Sequence, residues 1–215
     1  MLAAERRSTT WRAPSLKKGS TIRSRMILTP DNEYAALLDA CVLVPMPLCD
    51  TLLRLALEPS LYRPLWSAQI LTEVGTAIRR MGYTPEQSER RLRVMREHFP
   101  EAVVSIPPDM AQALACIPDE NDRHVLAAAI CGHANAIVTF NEGDFPEACL
   151  AQYGILRLHP DDFLVHQFHA NSALVMEKID LQAMVRREPR RNIVARLRDL
   201  AQAPKFAALI EGRLG

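Results

Sequence analysis

The feature that most constrains this chain is a repeated change of hydrophobic period. Short apolar runs stand at 34–45 (YAALLDACVLVP), 102–108 (AVVSIPP), 136–140 (AIVTF) and 155–158 (ILRL). Between them, apolar residues recur every three or four positions. Short runs bounded by breakers read as buried strands, and the longer 3.6-period stretches read as helices. Strands that alternate with helices pair in parallel, and a parallel sheet needs helices on both faces. The chain is therefore expected to be an α/β protein with a covered parallel sheet.

Boundary residues refine this reading. Pro45 and Pro47 open a helix over LCDTLLRLALE. Ser67 is an N-cap for WSAQILTEVGTAIRRMG, whose Ile70, Leu71, Val74 and Ile78 share a face and whose Gly82 is a stop. Thr84, Pro85 and Gln87 form a capping box at the next helix start. A short helix is expected at 109–116, and RHVLAAAICGHA is an Ala-rich helix suited to close packing. From Pro160 onward only helical patterns remain, PDDFLVHQFHANSALVMEKIDLQAMV reading as one amphipathic stretch. The expected organisation is a basic leader at 1–26, an α/β body at 27–160 and a helical extension at 161–215.

Charge follows the same division. The net charge of the 215 residues is +1, yet 1–26 carry +6, 27–176 carry −9 and 177–215 carry +4. The leader lacks the apolar core of a secretory signal, so Met26 is read as the working start. No run is long and apolar enough to span a bilayer, which excludes a membrane-spanning function class. Five cysteines (41, 49, 116, 131, 149) form no C-x-x-C pair. They are read as reduced packing thiols of a cytoplasmic protein.

Four acids fall where they are hard to explain as surface. Asp39 lies where the first apolar run gives way, and Asp144 follows the third strand. Open parallel sheets bind ligands beyond the carboxyl ends of their strands. Glu73 sits in an apolar helical stretch, and Asp122 opens an apolar helix. An acid at a helix start is often only a cap. Four acids at one sheet edge, however, repel one another unless a cation neutralises them. Oxygen donors without a Cys or His pattern suit Mg²⁺ or Mn²⁺, a combination common in phosphoryl chemistry. Asp119 and Glu120 compete with Asp122 for the third position, and Glu142 competes with Asp144.

The segments LDACVL at 38–43, Glu73, NDRHVLAAA at 121–129 and IVTFNEGDFP at 137–146 together resemble the motifs of PIN-domain ribonucleases, and among these the VapC-type toxins of bacterial toxin–antitoxin pairs. The resemblance covers roughly 34–160 in order and spacing, and the helical extension resembles the tail of some members. It implies a three-layer α/β/α sandwich with a central parallel sheet. It also implies that Asp39, Glu73, Asp122 and Asp144 are both catalytic and metal-binding, holding Mg²⁺ or Mn²⁺. Thr139 and Asn141 match a hydroxyl and a polar neighbour that support such a site. The implied activity is endoribonuclease, often on tRNA or other structured RNA, and the implied partner is a cognate antitoxin. Many members form homodimers.

Other constellations carry less. His166 and His169 lie three apart on a helix without a third ligand, His124 is read as a surface or capping residue with contact to substrate phosphate as the alternative, and Ser67 is read as a cap. Arginines 79, 80, 90, 91, 93 and 96 form a cluster, from which Arg90, Arg91 and Arg93 are the candidate RNA contacts. Arginines 186, 187, 190 and 191 could serve RNA or an acidic antitoxin segment. With 6% aromatic residues, recognition of shape and backbone is favoured over base stacking. A haloacid-dehalogenase-type phosphatase would need a second Asp where Cys41 stands, and a receiver-like module would need a late Lys absent from 100–160. The remaining alternative is a catalytically inactive PIN scaffold that acts as a binding module.

Overall fold

The structure, a computed structural model, describes residues 34–213. The leader read at 1–26 lies outside the described residues. Strands β1 (Ala35–Leu38), β2 (Arg63–Ser67), β3 (Val103–Val104), β4 (Ala136–Val138) and β5 (Leu156–Leu158) form one parallel sheet in the order β3-β2-β1-β4-β5. Every residue of β1 is buried. Its Leu37 is level with Leu65 of β2 on one side and Ile137 of β4 on the other. The connections are helical: α1 (Ala40–Leu43), α2 (Met46–Leu55), α3 (Ala68–Arg80), α4 (Pro85–His98), α5 (Met110–Ala113), α6 (Arg123–Cys131) and α7 (Glu147–Leu150). The expected α/β sandwich with a central parallel sheet is what forms.

Three local expectations change. The run at 34–45 is not one strand. β1 ends at Leu38, and Asp39 turns the chain by accepting the Ala40 N–H at 2.6 Å as the N-cap of α1. A continuous apolar run does not distinguish strand from buried helix, and here the capping acid decides. Second, β2 had no counterpart in the sequence reading. Pro64 sits inside it, and a proline argues against a strand interior because it cannot donate to the ladder. Third, the stretch from Pro160 is two helices, α8 (Pro160–Ala170) and α9 (Ser172–Arg186). Asn171 breaks it and caps α9 through the Leu174 N–H at 3.0 Å. The capping box at α4 forms in full, with both Thr84 and Gln87 bonds present.

Helices α10 (Arg190–Asp199) and α11 (Pro204–Glu211) complete the chain. They do not stand apart from the sheet body, because one hydrophobic cluster runs from β1 through α8, α9 and α10 to Ile210. Tyr62 meets Phe163 edge-to-face at 4.9 Å between centroids. Asp161 accepts the Lys205 and Phe206 N–H groups at 3.0 and 2.9 Å, tying α11 to α8. Lys178 donates to the carbonyls of Leu57 and Glu58 at 2.8 and 3.3 Å. Between α2 and α9, Asp50 accepts from Arg54 at 2.7 Å and from Gln182 at 3.2 Å, with Arg186 at 3.5 Å. Among the described residues no helix is long and apolar enough to cross a membrane.

Candidate active site

The parallel pairing of β1 with β4 builds the centre of the site. Leu38 is level with Val138, so the next residues, Asp39 and Thr139, leave the sheet side by side. Both are buried. Thr139 donates its hydroxyl to Asp39 Oδ2 at 2.7 Å and accepts the Asn141 N–H at 3.0 Å. The Cys41 thiol also reaches Asp39 Oδ2, at 3.1 Å, and accepts the Phe140 N–H at 3.3 Å. Burial, and then the Asp39 charge, push the Cys41 thiol up to about 12, so it stays protonated and serves as a donor. Asp39 thus has three donors and, among the described residues, no lysine or arginine ion-paired to it.

Two further acids approach from separate loops. Asp122 precedes α6, and burial followed by the charges of Asp144, Asp119 and Asp39 raises its carboxyl to about 6. Carboxyls from three segments of the chain therefore act on one group. Arg123 steadies the Asp122 loop through the Ile117 carbonyl and Glu120, each at 3.2 Å. Arg157 of β5 does the same for the Asp144 turn. It donates to the carbonyls of Glu142 and Phe145 at 2.6 and 2.8 Å and pairs with Glu147 at 3.1 Å. Sequence reasoning missed these two arginines; each is the lone basic residue beside an acidic loop or strand end.

Glu73, half-buried on α3, meets His124 of α6 at 2.9 Å and accepts from Gln69 at 3.3 Å. His124 is buried, which corrects its reading as a surface or capping residue. Among the described residues its Nδ1 finds no hydrogen-bond partner. The imidazole fixes Glu73 beside the acid face rather than lying free for substrate. Asn141 is exposed at the rim, and its contribution here is a backbone N–H. Asp119 is turned inward on its own loop, accepting from the Asn121 backbone and side chain at 2.9 Å. That leaves Asp122 as the better-placed acid of the trio.

Arg91 departs from its expected role. It is buried and directs its guanidinium at the Leu43 and Val44 carbonyls, which end α1. Ser88, Arg91, Leu92 and Met95 form the inward face of α4, leaving Arg90 and Arg93 exposed on the other. Arg93 is shared with Glu97 at 3.8 Å. The cysteines depart too. Cys116 and Cys149 are joined, with Cα atoms 5.6 Å apart. The bridge ties the loop before Asp122 to α7 after Asp144. Spacing rules detect neighbours in sequence, and this pair is 33 residues apart.

Among the described residues no three His, Cys, Asp or Glu side chains form a ready-made metal cage. The donor chemistry nevertheless fits a hard divalent cation. The acids offer oxygen alone, and the charges of Asp144, Asp119 and Asp39 add to burial in raising the Asp122 carboxyl. Asp39, Asp122 and Asp144, with Glu73 beside them, are the groups that would hold such an ion.

A strand-end aspartate backed by a buried threonine, with acids on two following loops, is set on a five-stranded parallel sheet. Residues 35–143, about half the chain, match the PIN domain family, and the chain belongs to that family. A stretch of 63 residues is 46% identical to "Putative ribonuclease VapC50" of Mycobacterium tuberculosis. That stretch is 27% of this chain and 37% of the relative, so the match spans well under half of either protein. No solved structure is significantly similar to the chain.

Proposed function

We propose that the chain is a metal-dependent endoribonuclease and the toxin of a toxin–antitoxin pair, acting on tRNA or another structured RNA. The observation that carries this is Asp122, raised by burial and then by the charges of Asp144, Asp119 and Asp39, with no lysine or arginine ion-paired to Asp39, Asp122 or Asp144 among the described residues. Such a cluster has little structural value; it suits a cation and, through it, a phosphodiester. A bound Mg²⁺ or Mn²⁺ would neutralise phosphate charge and lower the pKa of the attacking water. Thr139 and Cys41 hold Asp39 in one rotamer, so that its carboxylate need not reorganise. Arg123 and Arg157 fix the two acid-bearing loops, and His124 orients Glu73. A cognate antitoxin protein is the proposed partner, a homodimer the proposed assembly and the cytoplasm the proposed location.

The test is cleavage of RNA by the purified chain with Mg²⁺ or Mn²⁺, abolished by EDTA and by Asp39→Asn. Equal cleavage by the Asp39→Asn protein would remove the assignment. The Glu73–His124 contact favours a second reading, a non-catalytic PIN scaffold, because it engages one acid of the four. Absence of any metal-dependent cleavage by the wild type would support that reading.

A further inference from the structure

A cleft of about 370 Å³ opens beside the acid face, between α1 and α3. Its floor is apolar, made by Ala40, Val44 and Ala77. Its two ends are charged oppositely. Glu73 stands at the acid-face end, and Arg80 lines the other. Glu73, Thr76, Ala77 and Arg80 follow the i, i+3, i+4, i+7 pattern of one helix face, so the two charges are separated by about 10 Å along α3. Arg79 is engaged by Thr76 at 3.2 Å, whereas Arg80 is exposed and makes no ion pair among the described residues.

We propose that this cleft is a nucleoside subsite, in which the ribonucleotide next to the scissile bond lies against Ala40, Val44 and Ala77 while its outer phosphate meets Arg80. The inference rests on the ribonuclease reading of the acid face. A nucleotide within RNA is an apolar-faced base and a ribose between two phosphates. The cleft has the matching order: the acid face at Glu73, an apolar stretch, then a guanidinium suited to bidentate phosphate contact. The lining hydroxyls add a preference. Thr72 and Thr76 donate their protons to the Ala68 and Thr72 carbonyls, each at 2.9 Å. Towards a ligand they can only accept, which favours groups such as a ribose 2′-OH or an exocyclic amine. No aromatic ring lines the cleft, so the base is held by shape and not by stacking.

The experiment measures binding of a short, unstructured, fluorescein-labelled oligoribonucleotide in EDTA, where no metal-dependent cleavage intervenes. Arg80→Ala should weaken binding about tenfold and flatten the salt dependence by about 0.7 in log–log slope, the value for one phosphate contact on a single strand. Ala77→Trp should weaken binding with the slope unchanged, because it fills the floor and leaves the charge. Ala77→Leu repeats this test should the tryptophan variant lose its cooperative unfolding transition. A DNA oligonucleotide of the same sequence should bind less tightly to the wild type. Unchanged affinity and slope in Arg80→Ala, with wild-type cleavage intact, would overturn the subsite alone and leave the cleft to a protein segment. Failure of the wild type to cleave any RNA with metal would overturn the ribonuclease reading, and the subsite with it.

Discussion

Two regions of this molecule bury carboxylates, and they treat them in opposite ways. At the seam between α2 and α9, Asp50 is 1% exposed and is met by Arg54, Gln182 and Arg186. Burial raises its carboxyl, and the two arginines act against that rise. At the carboxyl edge of the sheet, Asp39 is almost as buried, at 6%, yet its partners are a threonine, a thiol and a backbone amide. Its charge acts on a further acid, Asp122. A compensated carboxylate holds elements together. An uncompensated group of them is poorly explained by stability and well explained by a ligand that brings positive charge.

Substitutions can break this comparison. The largest expected effect is on turnover: Asp39→Asn should reduce metal-dependent RNA cleavage by at least about a hundredfold, of the order seen when electrostatic stabilisation at a reacting centre is removed. Circular dichroism should show an unchanged fold. Next comes Asp50→Ala, which takes the carboxylate away from a fully buried Arg54 and should cost about 3–5 kcal/mol in urea unfolding. A cost below that of an ordinary surface substitution would dissolve the contrast. Removing the Cys116–Cys149 bridge by a double Ser substitution lifts a constraint on a 33-residue separation. It should lower stability under non-reducing conditions by about 3–4 kcal/mol.

Smaller effects sharpen the picture. Arg91→Ala leaves buried carbonyls at the end of α1 without their donor and should cost about 1–3 kcal/mol. Arg93→Ala, on the exposed face of the same helix, should stay within about 0.5 kcal/mol. The last effect is one of pH and concerns Asp122. Its carboxyl is raised in the folded chain to about 6 from a usual 3.8, so the fold binds an extra proton between those values. The stability this group contributes is complete below about pH 4 and is lost as pH rises through 6. In metal-free protein, Asp122→Asn should therefore be more stable than wild type at pH 7.5, and the gain should vanish near pH 4. A gain that is constant with pH would mean that the acids do not share one field.

Much of this was legible in the sequence, for identifiable reasons. The runs that became β1 and β4 are apolar because both are buried in the middle of the sheet, and Asp39 and Asp144 are conspicuous as the acids that follow them. β2 was hidden by Pro64, and the turn at Asp39 by the apolar α1 beyond it. The same reasoning misassigned Arg91, which looked like one of a basic cluster. A signal was available: 88, 91, 92 and 95 have helical spacing, so Arg91 lies on the same stripe as Leu92 and Met95. The disulfide and the His124–Glu73 contact join residues 33 and 51 apart in the chain, and no local pattern encodes such encounters.

The seam at Asp50 also has a consequence for the order of events during synthesis. The helix bearing Asp50 is buried along nearly its whole length, and its coverings at α9 and α10 lie more than 120 residues later. A ribosome that has just completed the sheet and all four acids still holds a chain whose α2 lacks its cover, with the Asp50–Arg54 pair open to water on that side. Cooperative closure waits for the stretch around 182–197. The acidic edge can thus be spelled out early, while the body that keeps it rigid is sealed among the last steps, and a chain truncated before α9 should expose an apolar helix of the kind that chaperones and proteases recognise.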